Sequence, residues 1–222
     1  MRFQSAVLVL AGAGLLFAQS EHEKRLVEAA DVFQEVMDTP DKGIPQDLLD
    51  KAQCAVIVPG LKKGAFIIGA KYGRGFMLCR TGNVGWSAPG SVRVEGGSFG
   101  FQIGGSETDV IMLVMNERGV KRLLSSKFTL GADAAVAAGP VGRTASAETD
   151  AYMRAEILTW SRARGAFAGI SLQGATLRQD AAANKGLYGR AYANKDIVQK
   201  GVKPPAGAAR LLGLLNKYSG RK

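Results

Sequence analysis

The chain has 222 residues, one histidine, two cysteines and a formal net charge of +10. That length suits one good-sized core. His22 and two distant cysteines leave no zinc cluster, a histidine near the terminus is a poor base for a Ser-His-Asp or Cys-His site, and no GxxxxGKS/T phosphate loop occurs.

In chain order, a lone Arg2 precedes the short apolar run Ala6 to Ala18, which ends in small residues. This predicts a signal peptide over residues 1–18 and one mature domain over 19–222. No cysteine follows the run, so a lipid-anchored export form is not expected. Export implies an oxidising space. There Cys54 and Cys79, both in predicted strands, either form a disulfide or stay as two buried thiols.

Residues 21–38 place Leu26, Ala29, Ala30, Phe33, Val36 and Met37 at helical spacing and predict an amphipathic helix. Residues 44–52 predict a short helix with Pro45 in its first turn. From Cys54 to Met115 glycine recurs among β-formers. A glycine inside a strand needs a bulge, a bend or a close backbone approach to explain it, so this stretch predicts a strongly bent antiparallel sheet. The apolar run Val110–Met115 predicts a strand buried on both faces. A helix is expected over 117–127, strands around 155–161 and 166–172, short helices over 179–188 and 196–200, and a last helix over 208–218. The 132–142 stretch is ambiguous. The fold class is therefore α+β: a curved, glycine-rich antiparallel sheet, closed or nearly so, with an N-terminal helix and C-terminal helices.

Charge is unevenly spread. Residues 19–50 carry nine acids against three bases, a net −6, which leaves +15 on residues 51–222. Such asymmetry points to an anionic partner, either external or the chain's own acidic helix. Export argues against nucleic acid. Two basic groups stand out: Lys62, Lys63, Lys71, Arg74 and Arg80 on adjacent hairpins, and the tail, where Arg210 and Lys217 flank Leu211, Leu214, Leu215 and Tyr218 on a basic amphipathic helix. Such a helix either lies on a membrane surface or caps the core. Trp86 is either a core plug or an aromatic at a ligand mouth. Glu107 with Asp109, and Glu148 with Asp150, have the two-residue spacing that puts two acids on one face of a strand, which keeps a carboxylate-dependent hydrolase as an alternative.

Several phrases can be read together, in order: Ile44-Pro45-Gln46-Asp47-Leu48-Leu49, Lys71-Tyr72-Gly73-Arg74-Gly75, Gly85-Trp86-Ser87-Ala88-Pro89, Gly100-Phe101-Gln102-Ile103-Gly104, Ala138-Gly139-Pro140-Val141-Gly142 and Ser161 through Leu172. Together they resemble the SYLF domain family over roughly residues 25–200. The resemblance implies a non-enzymatic domain without cofactors that binds membrane lipids, phosphoinositides in its eukaryotic members, where actin binding also occurs. An exported chain is removed from actin, and its acidic first helix is a poor surface for anionic lipid. The expectation is binding of anionic phospholipid in the bacterial cell envelope, through Lys62, Lys63, Lys71, Arg74 and Arg80 or through Arg210 and Lys217. A structural protein that holds acidic cell-wall polymer is the alternative.

Overall fold

The computed structural model describes residues 20–39, 43–65, 68–82, 85–99, 104–140, 155–163, 166–169 and 172–219. The predicted signal peptide and the pair Glu148 and Asp150 lie outside these residues. Helix α1 spans Glu21–Asp38. It starts at a capping box: the Glu23 N–H donates to the Ser20 side chain, and the Ser20 N–H donates to the Glu23 carboxylate. Leu26, Ala29, Ala30, Phe33 and Val36 form its buried stripe. Helix α2 (Gln46–Lys51) follows, with Pro45 at its N-cap.

Four long strands then run as consecutive antiparallel neighbours or near neighbours: β1 (Cys54–Ala65), β2 (Ile68–Cys79), β3 (Gly90–Phe99) and β4 (Gly104–Val114). Helix α3 (Glu117–Leu123) leads to the short strands β5 (Lys127–Thr129) and β6 (Val136–Ala138). Then come β7 (Ile157–Ala163), β8 (Ala166–Gly169) and β9 (Thr176–Gln179). The chain closes with α4 (Ala181–Tyr188), α5 (Asn194–Gln199), a 3-10 turn at Ala206–Ala208 and α6 (Ala209–Tyr218).

Among the described residues the sheet order is β5-β9-β3-β2-β1-β4-β7, with β6 and β8 sharing the outer edge of β7. All pairings are antiparallel except β6 with β7. The sheet is a strongly curled half-barrel. Phe128 and Leu177 from one end and Ile157 from the other join one apolar cluster with Val56, Met77, Val94 and Val110, so the sheet wraps around that cluster. The outer face carries Ile57, Phe76, Leu78, Ile111, Leu113 and Trp160, which pack beneath α1, α2 and α6. Val110 through Val114 are all buried, because alternate side chains enter the two clusters. One of the glycines shows why strand interiors here need them. A Cβ on Gly75 would lie 2.0 Å from the Ile57 carbonyl oxygen, where β1 bulges between Ile57 and Lys62.

The structure corrects two expectations and resolves an ambiguity. The helix expected over 117–127 stops at Leu123, and Lys127–Thr129 instead pairs with β9. The segment expected to open a helix at Gln179 is the end of β9, and Asp180 caps α4. The ambiguous 132–142 stretch contains β6.

Candidate functional site

Cys54 and Cys79 face each other in register across β1 and β2 and are joined by a disulfide. It ties together the two strands that carry the basic hairpin. At the far end of that hairpin, Lys62 pairs in register with Tyr72, and Lys63 with Lys71. Among the described residues these three lysines form no ion pair. Burial, with Lys71 across the strand, holds the Lys63 ammonium below the ordinary lysine pKa. Like charges directly opposite each other repel, so an anion docked here relieves a strain the fold already holds. Tyr72 is 43% exposed, an aromatic with an apolar body and a polar tip, on the same face as its partner Lys62 and on the opposite face from Lys63 and Lys71.

Arg74 is placed differently. Its guanidinium lies 3.4 Å from Asp180 and 3.8 Å from Glu21, over the Tyr72 ring. It belongs to a cleft of about 730 Å³ between α1 and strands β1, β2, β4 and β7. Charges of both signs line this cleft and largely satisfy one another. Arg25 pairs with Glu21 at 2.7 Å. Arg162 donates two hydrogen bonds to Asp109, at 2.8 and 3.0 Å, and pairs with Glu35. Glu107 and Asp109 do share the cleft, as their spacing predicts. Asp109, however, also accepts the Gly60 N–H at 2.9 Å. Burial pushes its carboxyl up and Glu107 adds to the push, while the Gly60 N–H opposes it. A carboxylate held by a guanidinium and a backbone amide is a structural tie between β1, β4 and β7. Its acidic neighbours are Glu107 in the same cleft and Glu35, which shares Arg162 with it.

Arg80 lies at the opposite end of β2 from Lys71, about 30 Å away at strand rise. It donates to the carbonyls of Ser219, Ala52 and Leu49 and sits 4.3 Å from the centre of the Trp86 ring. Trp86 is buried and donates to the Ser219 hydroxyl at 3.0 Å. Both are packing elements that fasten the C-terminal end to β2, so Trp86 is a core plug.

The basic terminal helix also turns inward. Leu211 and Leu215 are fully buried against α1. Arg210 pairs with Asp31 at 2.5 Å and donates to Gln34 at 2.9 Å. Tyr218 donates to Asp38 at 2.5 Å, and Lys217 stands over the Tyr218 ring. The acidic α1 and the basic α6 thus partner each other. Leu215→Ala is expected to cost about 2–5 kcal/mol of stability, and Arg210→Ala less than about 1 kcal/mol, because the ion pair is half-exposed. Urea unfolding of the two variants checks this ordering, and an equal or reversed ordering contradicts it.

A further group of cations lies at the β5 end of the sheet order, on α3 and β5. Arg118, Lys121 and Arg122 on α3 meet Lys127 on β5 around a cleft of about 420 Å³. Four cations within ten residues were the available signal. Among the described residues no group of His, Cys, Asp or Glu is placed to hold a metal ion, and no helix is long and apolar enough to cross a membrane.

The model of the Ysc84 family, described as Las17-binding protein actin regulator, matches residues 95–218, from β3 to the end of α6. The chain belongs to the Ysc84 family. This is the SYLF family that the sequence phrases resemble. The rat SH3 domain-containing YSC84-like protein 1 is 33% identical over 181 residues, 81% of this chain and 53% of the relative. The SH3 domain-containing protein PJ696.02 of Schizosaccharomyces pombe is 34% identical over 176 residues, 78% of this chain and 41% of the relative. Protein YSC84 of Saccharomyces cerevisiae is 32% identical over 178 residues, 79% of this chain and 38% of the relative. The chain thus spans about half or less of the length of these Ysc84 relatives.

Proposed function

We propose that this Ysc84-family chain is a non-enzymatic domain that binds anionic phospholipid at a membrane surface, exported to the cell envelope after loss of residues 1–18. The observation that carries the reading is the β1–β2 hairpin end. There Lys63 and Lys71 oppose each other on one face, while Lys62, opposite Glu107 on β4, shares the other face with the exposed Tyr72; among the described residues none of the three lysines forms an ion pair. The other basic candidates are engaged elsewhere: Arg74 with Asp180 and Glu21, Arg80 in packing, Arg210 on α1 and Lys217 over the Tyr218 ring. Each lysine near an anionic membrane contributes about 1 kcal/mol, and Tyr72 adds an aromatic that suits the headgroup layer. The family description and the names of the relatives fit a binding domain. An exported chain meets lipid rather than actin.

Sedimentation with anionic and neutral vesicles, beside a pull-down on isolated acidic envelope polymer, tests the assignment. The expected result is retention on anionic vesicles. Retention on polymer alone would move the function to the structural envelope reading.

The lowered Lys63 pKa has its own consequence. A lysine that loses its proton below the ordinary value of 10.5 stops attracting anions at that lower pH. Vesicle binding is therefore expected to begin weakening on the acid side of the ordinary lysine range. Lys63→Arg should push that weakening to higher pH, since arginine stays charged. Identical pH profiles for wild type and Lys63→Arg would show that Lys63 makes no contact.

A further inference from the structure

The cleft between α3 and β5 carries four cations and a single acid, Asp133. Asp133 is already engaged, accepting the Thr129 N–H at 2.7 Å. Arg118 lies 3.7 Å from Glu156. Among the described residues Lys121, Arg122 and Lys127 have no ion-pair partner. The turn between helix and strand is pinned by Ser125, whose hydroxyl lies 2.6 Å from the Arg122 carbonyl and 3.1 Å from that of Lys127. That turn brings the end of α3 and the start of β5 to the same side.

The cationic surface continues across the sheet. Lys127 is the register partner of Arg178 on β9, Arg178 of Arg93 on β3, and Arg93 of Arg74 on β2. Arg93 lies between Val92 and Val94, which are buried inside the curl, so the row faces outward. Glu95 is shared between Arg93 at 3.1 Å and Arg178 at 3.2 Å, so one carboxylate serves two guanidinium groups. Cations at the end of a helix are favourable on their own, which accounts for Lys121 and Arg122. It does not account for Lys127 standing directly opposite Arg178, a like-charge register pair that costs stability.

We infer that the α3–β5 cleft is a phosphate-binding site, in which Lys121, Arg122 and Lys127 hold a multiply charged phosphate group and Arg178 extends the contact along the sheet. The ligand class is a phosphomonoester or a short polyphosphate, which carries more than one negative charge on neighbouring oxygens. Neighbouring strands about 4.8 Å apart space the cations for such a group. The site shares no residue with the β1–β2 hairpin and does not depend on the lipid reading.

The test is a titration of the mature chain with tripolyphosphate at low salt, followed by backbone amide NMR. Shifts concentrated in residues 118–127 and at Arg178 are expected. The triple variant Lys121→Glu, Arg122→Glu, Lys127→Glu should weaken binding about a hundredfold, three charges each worth about fivefold at a surface. The corresponding glutamine triple variant checks that the loss follows charge and not folding. Vesicles of phosphatidic acid and of phosphatidylglycerol at equal charge identify the source. A preference for phosphatidic acid that the triple variant loses assigns a lipid headgroup. Tripolyphosphate binding without that preference assigns a soluble phosphate compound. Shifts spread evenly over all surface cations, or a triple variant that binds like wild type, overturn the site. A wild type that ignores every vesicle overturns the lipid reading alone, and the tripolyphosphate result still decides this one.

Discussion

Trp160→Ala should lower the unfolding free energy by about 3–5 kcal/mol, the range for removing a large buried aromatic. Trp160 is fully buried on the outer face of β7, in the cluster beneath α1 and α6. Its indole N–H donates to the Pro140 carbonyl at 2.8 Å. Its ring also shapes the neighbouring chain, because a Cβ added at Gly139 would lie 2.1 Å from it. Gly139→Val should therefore destabilise by a comparable amount through overpacking, while Trp160→Phe keeps most of the packing and loses the hydrogen bond. Urea denaturation of the three variants reads this directly. A loss below about 1 kcal/mol for Trp160→Ala would show that the β6–β7 side is not part of the cooperative core.

The second large effect concerns the hairpin. Reversing Lys62, Lys63 and Lys71 together to glutamate should weaken binding to anionic vesicles by about a hundredfold or more at low salt, at about 1 kcal/mol per charge removed and a further penalty for each acid introduced. Reversal of Glu28 on the exposed side of α1 should leave binding equal or stronger. Arg74→Glu is expected to act mainly on stability, because it leaves Asp180, which is 4% exposed, without its nearest cation. Deletion of residues 206–222 is a poor test of lipid contact in this fold, since it also uncovers Leu26 and Phe33 of α1. If the triple reversal binds like wild type, the hairpin is not the contact.

Much of this was legible in the sequence where the physics is local. The stripe from Leu26 to Val36 gave α1 through helical spacing, and the run Val110–Val114 marked a strand buried on both sides. The glycines between β-formers announced the curl, because a glycine in a strand needs a bulge, a bend or a close backbone approach such as that of Gly75 to Ile57. The basic hairpin end followed from its turn, which brings Lys62, Lys63 and Lys71 to one end of the sheet. What escaped was set by distant partners. Strands β5, β6 and β9 have three or four residues each, too few for a period to show, and they exist because a neighbouring edge supplies their hydrogen bonds. Arg80 looked like a hairpin cation, but it donates to the carbonyl of Ser219, 139 residues away. Arg210 looked available to a membrane until α6 docked on α1. The cleft on α3 was hidden for the same reason: Lys127 was read as the end of a helix, and only its place on β5 turns it toward Arg122.

The account rests most directly on the preference of the mature chain for charge on a membrane. Flotation with phosphatidylglycerol-rich and with purely phosphatidylcholine vesicles, at low ionic strength and again at 0.5 M salt, measures it. The account predicts capture by the anionic vesicles alone, lost at high salt because exposed charges are screened beyond a few ångströms there. Equal capture by both vesicle types, or none by either at low salt, would contradict it.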